Sequence, residues 1–150
     1  MVAFGAHALQ AAFSGAFFLA FVQKVYLEGV ALDREHVGEL LSCSLYLGRH
    51  TPVVIMRRAV PRDSDVHRLI IEELKWSHVA LRPWGDEIPI QCPLCGALGS
   101  LKCKQAGSGV TESFCSVPGC RYKVVHTKPD HWKTIRSGEG GQWSIVQRVL

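Results

Sequence analysis

Five of the six cysteines fall within thirty residues, in QCPLCGALGSLKCK (91–104) and FCSVPGCRY (114–122). Cys92 and Cys95 have two residues between them and are followed by Gly96. Cys115 and Cys120 have four between them, with a Pro-Gly in the gap. A Cys-x-x-Cys-Gly turn brings two thiolates and nearby backbone amides onto one ion, and the glycine takes the backbone angle that closes the turn. Two such turns present four sulfurs tetrahedrally, the donor set that suits Zn²⁺. The spacing therefore nominates Cys92, Cys95, Cys115 and Cys120 as metal ligands, with structural Zn²⁺ as the cofactor. Cys103 lies eight residues past Cys95 in a strand-like stretch and reads as a packed spectator thiol. Exchange of Cys103 for Cys115, or of His126 or His131 for one thiolate, stays open as the alternative.

Four thiolates close the coordination shell, whereas a catalytic ion keeps one position open beside a base. The chain has no His-Glu-x-x-His. A nucleobase deaminase needs His-x-Glu and then Pro-Cys-x-x-Cys; here Gln91 precedes Cys92, and HVGE (36–39) has the wrong spacing. His36, His50, His67 and His78 have no Cys or acid at an interpretable interval, and Cys43 lies beside an apolar helical stripe where burial is expected. No catalytic residue and no small-molecule substrate is assigned.

The elements that must position this module follow from periodicity. MVAFGAH reads as a strand, and SGAFFLAFVQKVYLEG as a helix capped by Ser14 and ending near Gly29. In LDREHVGELLSCSLYLGRH, Val37, Leu40, Leu41, Ser44 and Leu45 recur at helical spacing, with Asp33 as N-cap and Gly48 as the stop. TPVVIMRR is a short β-branched run, a buried strand. PRDSDVHRLIIEELKW follows with Asp63 or Ser64 as cap and Val66, Leu69, Ile70 and Leu74 on one face, a third helix, although the Ile-Ile pair also suits a strand. SHVALRPWGDEIPIQ, with two X-Pro steps, is an extended connector. Within the cysteine module, LGSLKCK, VTESF and RYKVVH read as three strands, the first two joined by a glycine-rich hairpin loop, and QWSIVQRVL alternates as a terminal strand. The fold class is thus α+β: a small α/β body (strand–helix–helix–strand–helix) over residues 1–80, a connector at 81–90, the cysteine module at 91–126 and a tail at 127–150.

Composition agrees with a globular chain of 150 residues, nearly half apolar. The net charge of +4 is uneven: Lys24 and Arg34 stand against Glu28, Asp33, Glu35 and Glu39 before residue 49, so the remainder carries +6. Lys102, Lys104, Arg121, Lys123 and Lys128 cluster in the cysteine module, with Phe114, Tyr122 and Trp132 available for stacking. Such interleaving permits binding to nucleic acid or to an acidic protein; in the plainer reading the lysines are solvated and Phe114 and Tyr122 pack a small core. Metal-type spacing implies reduced thiols and an intracellular setting, cytoplasm or nucleus. The uncharged run from Met1 to Gln23 is long enough for a membrane span. Gly5, His7, Gln10, Ser14 and Gly15 interrupt it, which favours a buried strand and helix, and no basic stretch precedes it as in a secretory leader.

Residues 91–126 resemble the zinc-ribbon family, on Cys92, Cys95, Cys115 and Cys120, with four residues rather than two inside the second pair. That resemblance implies a small metal-stapled sheet that binds nucleic acid or protein partners or stabilises a larger fold. Residues 2–56 more loosely resemble the C-terminal part of a caspase-like peptidase domain, in the order VAFGAH, GAFFLAFVQKV, DREHVGELLSCSL, HTPVVIM. His7 stands where that family places its nucleophilic cysteine, and the half bearing its catalytic histidine has no counterpart here. An imidazole cannot replace the thiolate in acyl transfer, so the resemblance implies a degenerate or truncated relative.

Overall fold

The computed structural model describes residues 1–150 without 7, 8, 10, 45, 60–67, 139, 140 and 150. The chain divides into two units, Met1–Trp76 with His131–Leu150, and Ser77–Asp130.

In the first unit, Val53–Ala59 forms the strand that its β-branched run predicts (β2). It pairs antiparallel with β1 (Val2–Phe4), Val2 opposite Ile55, and with β3 (Arg68–Ser77), Val53 opposite Leu74. A C-terminal hairpin of β7 (Lys133–Gly138) and β8 (Gly141–Val149) completes a five-stranded sheet in the order β1-β2-β3-β8-β7. Among the described residues, three α-helices accompany it: α1 (Ala11–Phe21), which runs on into a π-helical turn at Val22–Leu27, α2 (Arg34–Ser42) and the short α3 (Leu47–His50). The core joins Phe17 of α1, Val37, Leu40 and Leu41 of α2, and Leu47 of α3 to Val53, Ile55, Leu74, Trp76, Trp143 and Ile145 of the sheet.

Asp33 begins α2 as its spacing predicts. Its Oδ1 accepts from the Glu35 and His36 amides, both at 3.0 Å, a cap worth about 1 kcal/mol. Ser14, expected as the cap of α1, is inside that helix, which starts at Ala11. Its buried hydroxyl donates back to the Ala11 carbonyl, while Ser44 Oγ donates to the Phe13 carbonyl at 2.8 Å and ties α1 to the chain after α2. Gly48, expected as a terminator, lies within α3. A Cβ at that position would run into the rings of Trp76 and Trp143, so glycine is needed for close approach rather than for chain reversal.

The third helix is a correction. Arg68–Ser77 is a strand, and the start of the expected helix, with Asp63, Ser64, Val66 and His67, lies outside the described residues. Glu72 shares the inward face of β3 with Leu74 and Trp76. Its carboxylate is held by Arg34 Nε and Arg57 Nε, each at 3.3 Å. An inward acid breaks the two-residue alternation that marks a strand, which leaves the helical period looking stronger.

Strand, helices and strand do follow one another from β1 to β2, the order that the caspase-like resemblance requires. The two strands nevertheless pair antiparallel, as does every pair whose register is described, so they are not joined as a parallel crossover. The body is therefore mixed α+β rather than α/β. His7 lies outside the described residues. Among the described residues, no helix is long and apolar enough to cross a membrane.

In the second unit, β4 (Leu101–Gly107), β5 (Val110–Cys115) and β6 (Lys123–Thr127) form an antiparallel three-stranded sheet. The strands lie where the cysteine module predicts them, and the β4–β5 turn closes through Gly109 at φ +73°. Upstream, Pro83–Gly85 forms a 3-10 turn with Trp84 at φ +53°.

Candidate metal centre

Two tight turns flank this sheet. In the first, the Cys92 amide donates to the Ala97 carbonyl and the Gly96 amide to the Cys92 carbonyl, both at 2.9 Å. Gly96 has φ +75°, the left-handed angle expected of a glycine at that place. In the second, the Cys120 amide donates to the Val117 carbonyl at 3.1 Å, and Gly119 has φ +81°. The turns are fastened to each other across the sheet, where Leu101 is opposite Cys115 and the Ser116 amide donates to the Ser100 carbonyl at 2.9 Å.

This framework brings the sulfurs of Cys92, Cys95, Cys115 and Cys120 within 4.8 Å of one another. Cys92 Sγ is 3.8 Å from Cys120 Sγ, and Cys95 Sγ is 3.7 Å from Cys115 Sγ. Sulfurs at the corners of a regular tetrahedron with a Zn–S bond of about 2.3 Å lie about 3.8 Å apart. The same separation is far beyond the ~2.05 Å of a disulfide. Donor set and spacing thus fit a four-thiolate metal site.

Hydrogen bonds prepare the sulfurs for negative charge. Cys95 receives the Ala97 amide, Cys115 the Val117 amide and Cys120 the Tyr122 amide, each from two residues on. Cys115 is drawn down to about 7, first by the Ser100 hydroxyl and then by the Val117 amide. Ser100 has one proton, and its oxygen also lies 3.0 Å from the Ala97 carbonyl, so it serves the thiolate only by turning from that carbonyl. For Cys120 the Tyr122 amide works downward, but burial and the sulfurs of Cys95, Cys115 and Cys92 outweigh it and push the thiol up to about 12. Cys95 is likewise raised against the pull of the Ala97 amide, by burial and its neighbours. Four thiols this close do not ionise together unless a cation offsets their repulsion.

The remaining nominated residues lie elsewhere. Cys103 stands on β4 opposite Ser113, half-buried, and burial alone raises its thiol. His126 is not a spare ligand, because both ring nitrogens are engaged: Nδ1 with Asp86 Oδ2 at 2.9 Å and Nε2 with Ser113 Oγ at 3.0 Å. His131 belongs to the other unit. Cys43, expected to be buried, is exposed, because it falls four residues after exposed Glu39 on the outer face, while the buried stripe of Val37, Leu40 and Leu41 continues at Ser44.

The acid–imidazole–hydroxyl chain of Asp86, His126 and Ser113 was invisible in sequence, where its members are 40 and 13 residues apart. Its order is that of a hydrolytic triad, but Ser113 is 2% exposed in the middle of β5, out of reach of a substrate. It fastens the connector to the sheet. Buried Thr111, Ser113, Cys115 and His126 line one face of that sheet. The opposite face carries Lys102, Lys104, Glu112, Phe114 and Lys123. Phe114 is half-buried there rather than in a core, with Lys104 Nζ 5.5 Å above its ring. Glu112 is held below the usual carboxylate range by Lys123 and, less strongly, by Lys104. Trp132, considered for stacking beside them, is buried in the other unit.

No protein family, curated protein or solved structure matches this chain.

Proposed function

We propose that Cys92, Cys95, Cys115 and Cys120 bind one Zn²⁺ as a closed, structural site of the zinc-ribbon type. The unit it staples then acts as a non-catalytic interaction module. The carrying observation is the sulfur spacing of 3.7 and 3.8 Å, the edge length of a zinc tetrathiolate. With all four positions taken by protein, the ion offers no site to water or substrate, and its contribution is folding energy. Of the partner classes, nucleic acid or an acidic protein segment suits the charge. Residues 101–128 contain Lys102, Lys104, Arg121, Lys123 and Lys128 against Glu112 alone, a net +4 that equals the charge of the whole chain.

Fluorescence anisotropy with a labelled single-stranded oligonucleotide and with an acidic peptide, each across a salt series, tests the partner. Binding that weakens steeply with salt supports the reading; no salt-sensitive binding to either probe removes it. The alternative, a degenerate or truncated caspase-like relative stabilised by the ribbon, rests on element order in the first unit. Peptide cleavage that depends on a thiol outside the cluster would favour it over the interaction module; against it stands the antiparallel pairing of β1 with β2, which is not a parallel crossover.

A further inference from the structure

The least satisfied surface of the first unit is α1 with the π-helical turn Val22–Leu27 that continues it. Of the eleven residues of α1, only Ser14 and Phe17 are buried, although the helix is apolar on all sides. Apolar all-round helices belong inside something. Phe18 (43% exposed), Val22 (45%) and Tyr26 (73%) succeed one another at four-residue steps, flanked by Leu19 (72%) and Leu27 (78%). The wider π turn, closed by the Glu28 amide on the Gln23 carbonyl at 3.0 Å, offsets the drift of a four-residue row and keeps these side chains on one stripe.

The N-terminal half of the same helix exposes only small residues, Ala11, Ala12, Gly15 and Ala16. Beside them opens a cavity of about 390 Å³ lined by Ala12, Phe13, Ala16, Cys43 and Tyr46. Among the described residues Gly15 has no contact that requires a glycine: its φ is not left-handed, and a Cβ built on it would meet nothing within 4 Å. A mid-helix glycine costs about 0.5–1 kcal/mol relative to alanine, with no internal contact here to offset it.

We infer that this face is the dimer interface between two copies of the chain, with the two α1 helices packed antiparallel about a two-fold axis. That arrangement lays the bulky half of each helix on the small half of the other. Tyr26 and Leu27 of the second copy then face the cavity beside Ala12 and Ala16, and Gly15 admits close helix approach. A two-fold contact demands such self-complementarity, and this stripe has it along its own length. Area agrees as well. Taking ~150–250 Å² for Phe18 and Tyr26 and the lower part of that range for the three aliphatic side chains, the five bulky residues leave roughly 500 Å² exposed. With the small half added, this approaches the ~800 Å² each partner gives to a standard interface. A lipid surface fits less well, because an interfacial helix carries Lys or Arg along its polar face. Here Lys24 alone is present, ion-paired with Glu28 at 2.9 Å.

Sedimentation of the 150-residue, reduced, zinc-loaded chain from about 1 to 100 µM tests this. The expected species has twice the 16.6 kDa chain mass. Gly15→Leu, whose Cβ would meet nothing within 4 Å in the isolated chain, and Leu19→Glu each weaken the dimer by about tenfold or more with unchanged far-UV circular dichroism. Leu27→Ser supplies the same readout should either helix variant disturb folding. A monomer over the whole range overturns the inference, as does a dimer that none of the three variants weakens. A monomer that cosediments with phosphatidylcholine vesicles overturns it in favour of a lipid occupant.

Discussion

Cys103 and Cys115 sit one diagonal step apart on paired strands, and their assigned roles are opposite. Cys115 ends β5 where the Ser100 hydroxyl and the Val117 amide draw its thiol down to about 7; Cys103 lies mid-strand, where burial raises it. Replacing Cys92, Cys95, Cys115 or Cys120 by serine is therefore expected to abolish stoichiometric metal binding, while Cys103→Ser keeps it, as read by elemental analysis of purified protein. Acid should release the ion. The ligands bind as thiolates, and Cys95 and Cys120 both start raised, Cys120 to about 12. Each must lose a proton on binding, so apparent affinity falls by about a hundredfold or more per unit drop in pH near neutrality, measurable by competition with a chromophoric chelator. The stability that the metal confers is present at neutral and higher pH and is lost as pH falls. At His126, substitution by alanine strands the buried Ser113 hydroxyl and should cost the second unit about 1–3 kcal/mol in urea unfolding of the metal-loaded protein, with metal content unchanged.

At the scale of elements, most short-range signals read correctly, and the misses have physical causes. Asp33 marked α2 because a cap is a local hydrogen bond, and the β-branched run marked β2. The strand at Arg68–Ser77 was hidden by Glu72, an acid made tolerable on the inward face only by Arg34 and Arg57 from elsewhere in the chain. No local pattern discloses that pairing. Gly48 misled in the same way, since its reason is two tryptophans, one of them 95 residues further on. Gly48→Ala is expected to destabilise the first unit by about 1–3 kcal/mol through overpacking against Trp76 and Trp143, seen as a lowered urea midpoint. The cysteine turns were legible for the converse reason: each is complete within six residues, glycine included.

Across the whole molecule, long-range pairing escaped sequence reading. The sheet order β1-β2-β3-β8-β7 sets the C-terminal hairpin beside β3, while the intervening residues 77–130 form a separate unit. Nothing in QWSIVQRVL names its neighbour, because strand pairing at that distance is decided by which apolar faces remain to be covered. The site fared better, since all four nominated sulfurs converge, although Asp86, His126 and Ser113 could not be linked without the fold. The central claim is that this convergence exists to hold a metal that folds the unit. Its most direct test is the metal stoichiometry of the reduced protein, followed by Co²⁺ substitution and absorption spectroscopy. The account predicts about one ion per chain, a tetrahedral thiolate spectrum on Co²⁺ loading, and loss of structure in the second unit on chelation. A reduced chain that stays folded with no bound metal, or whose metal survives replacement of all four cysteines, would contradict it.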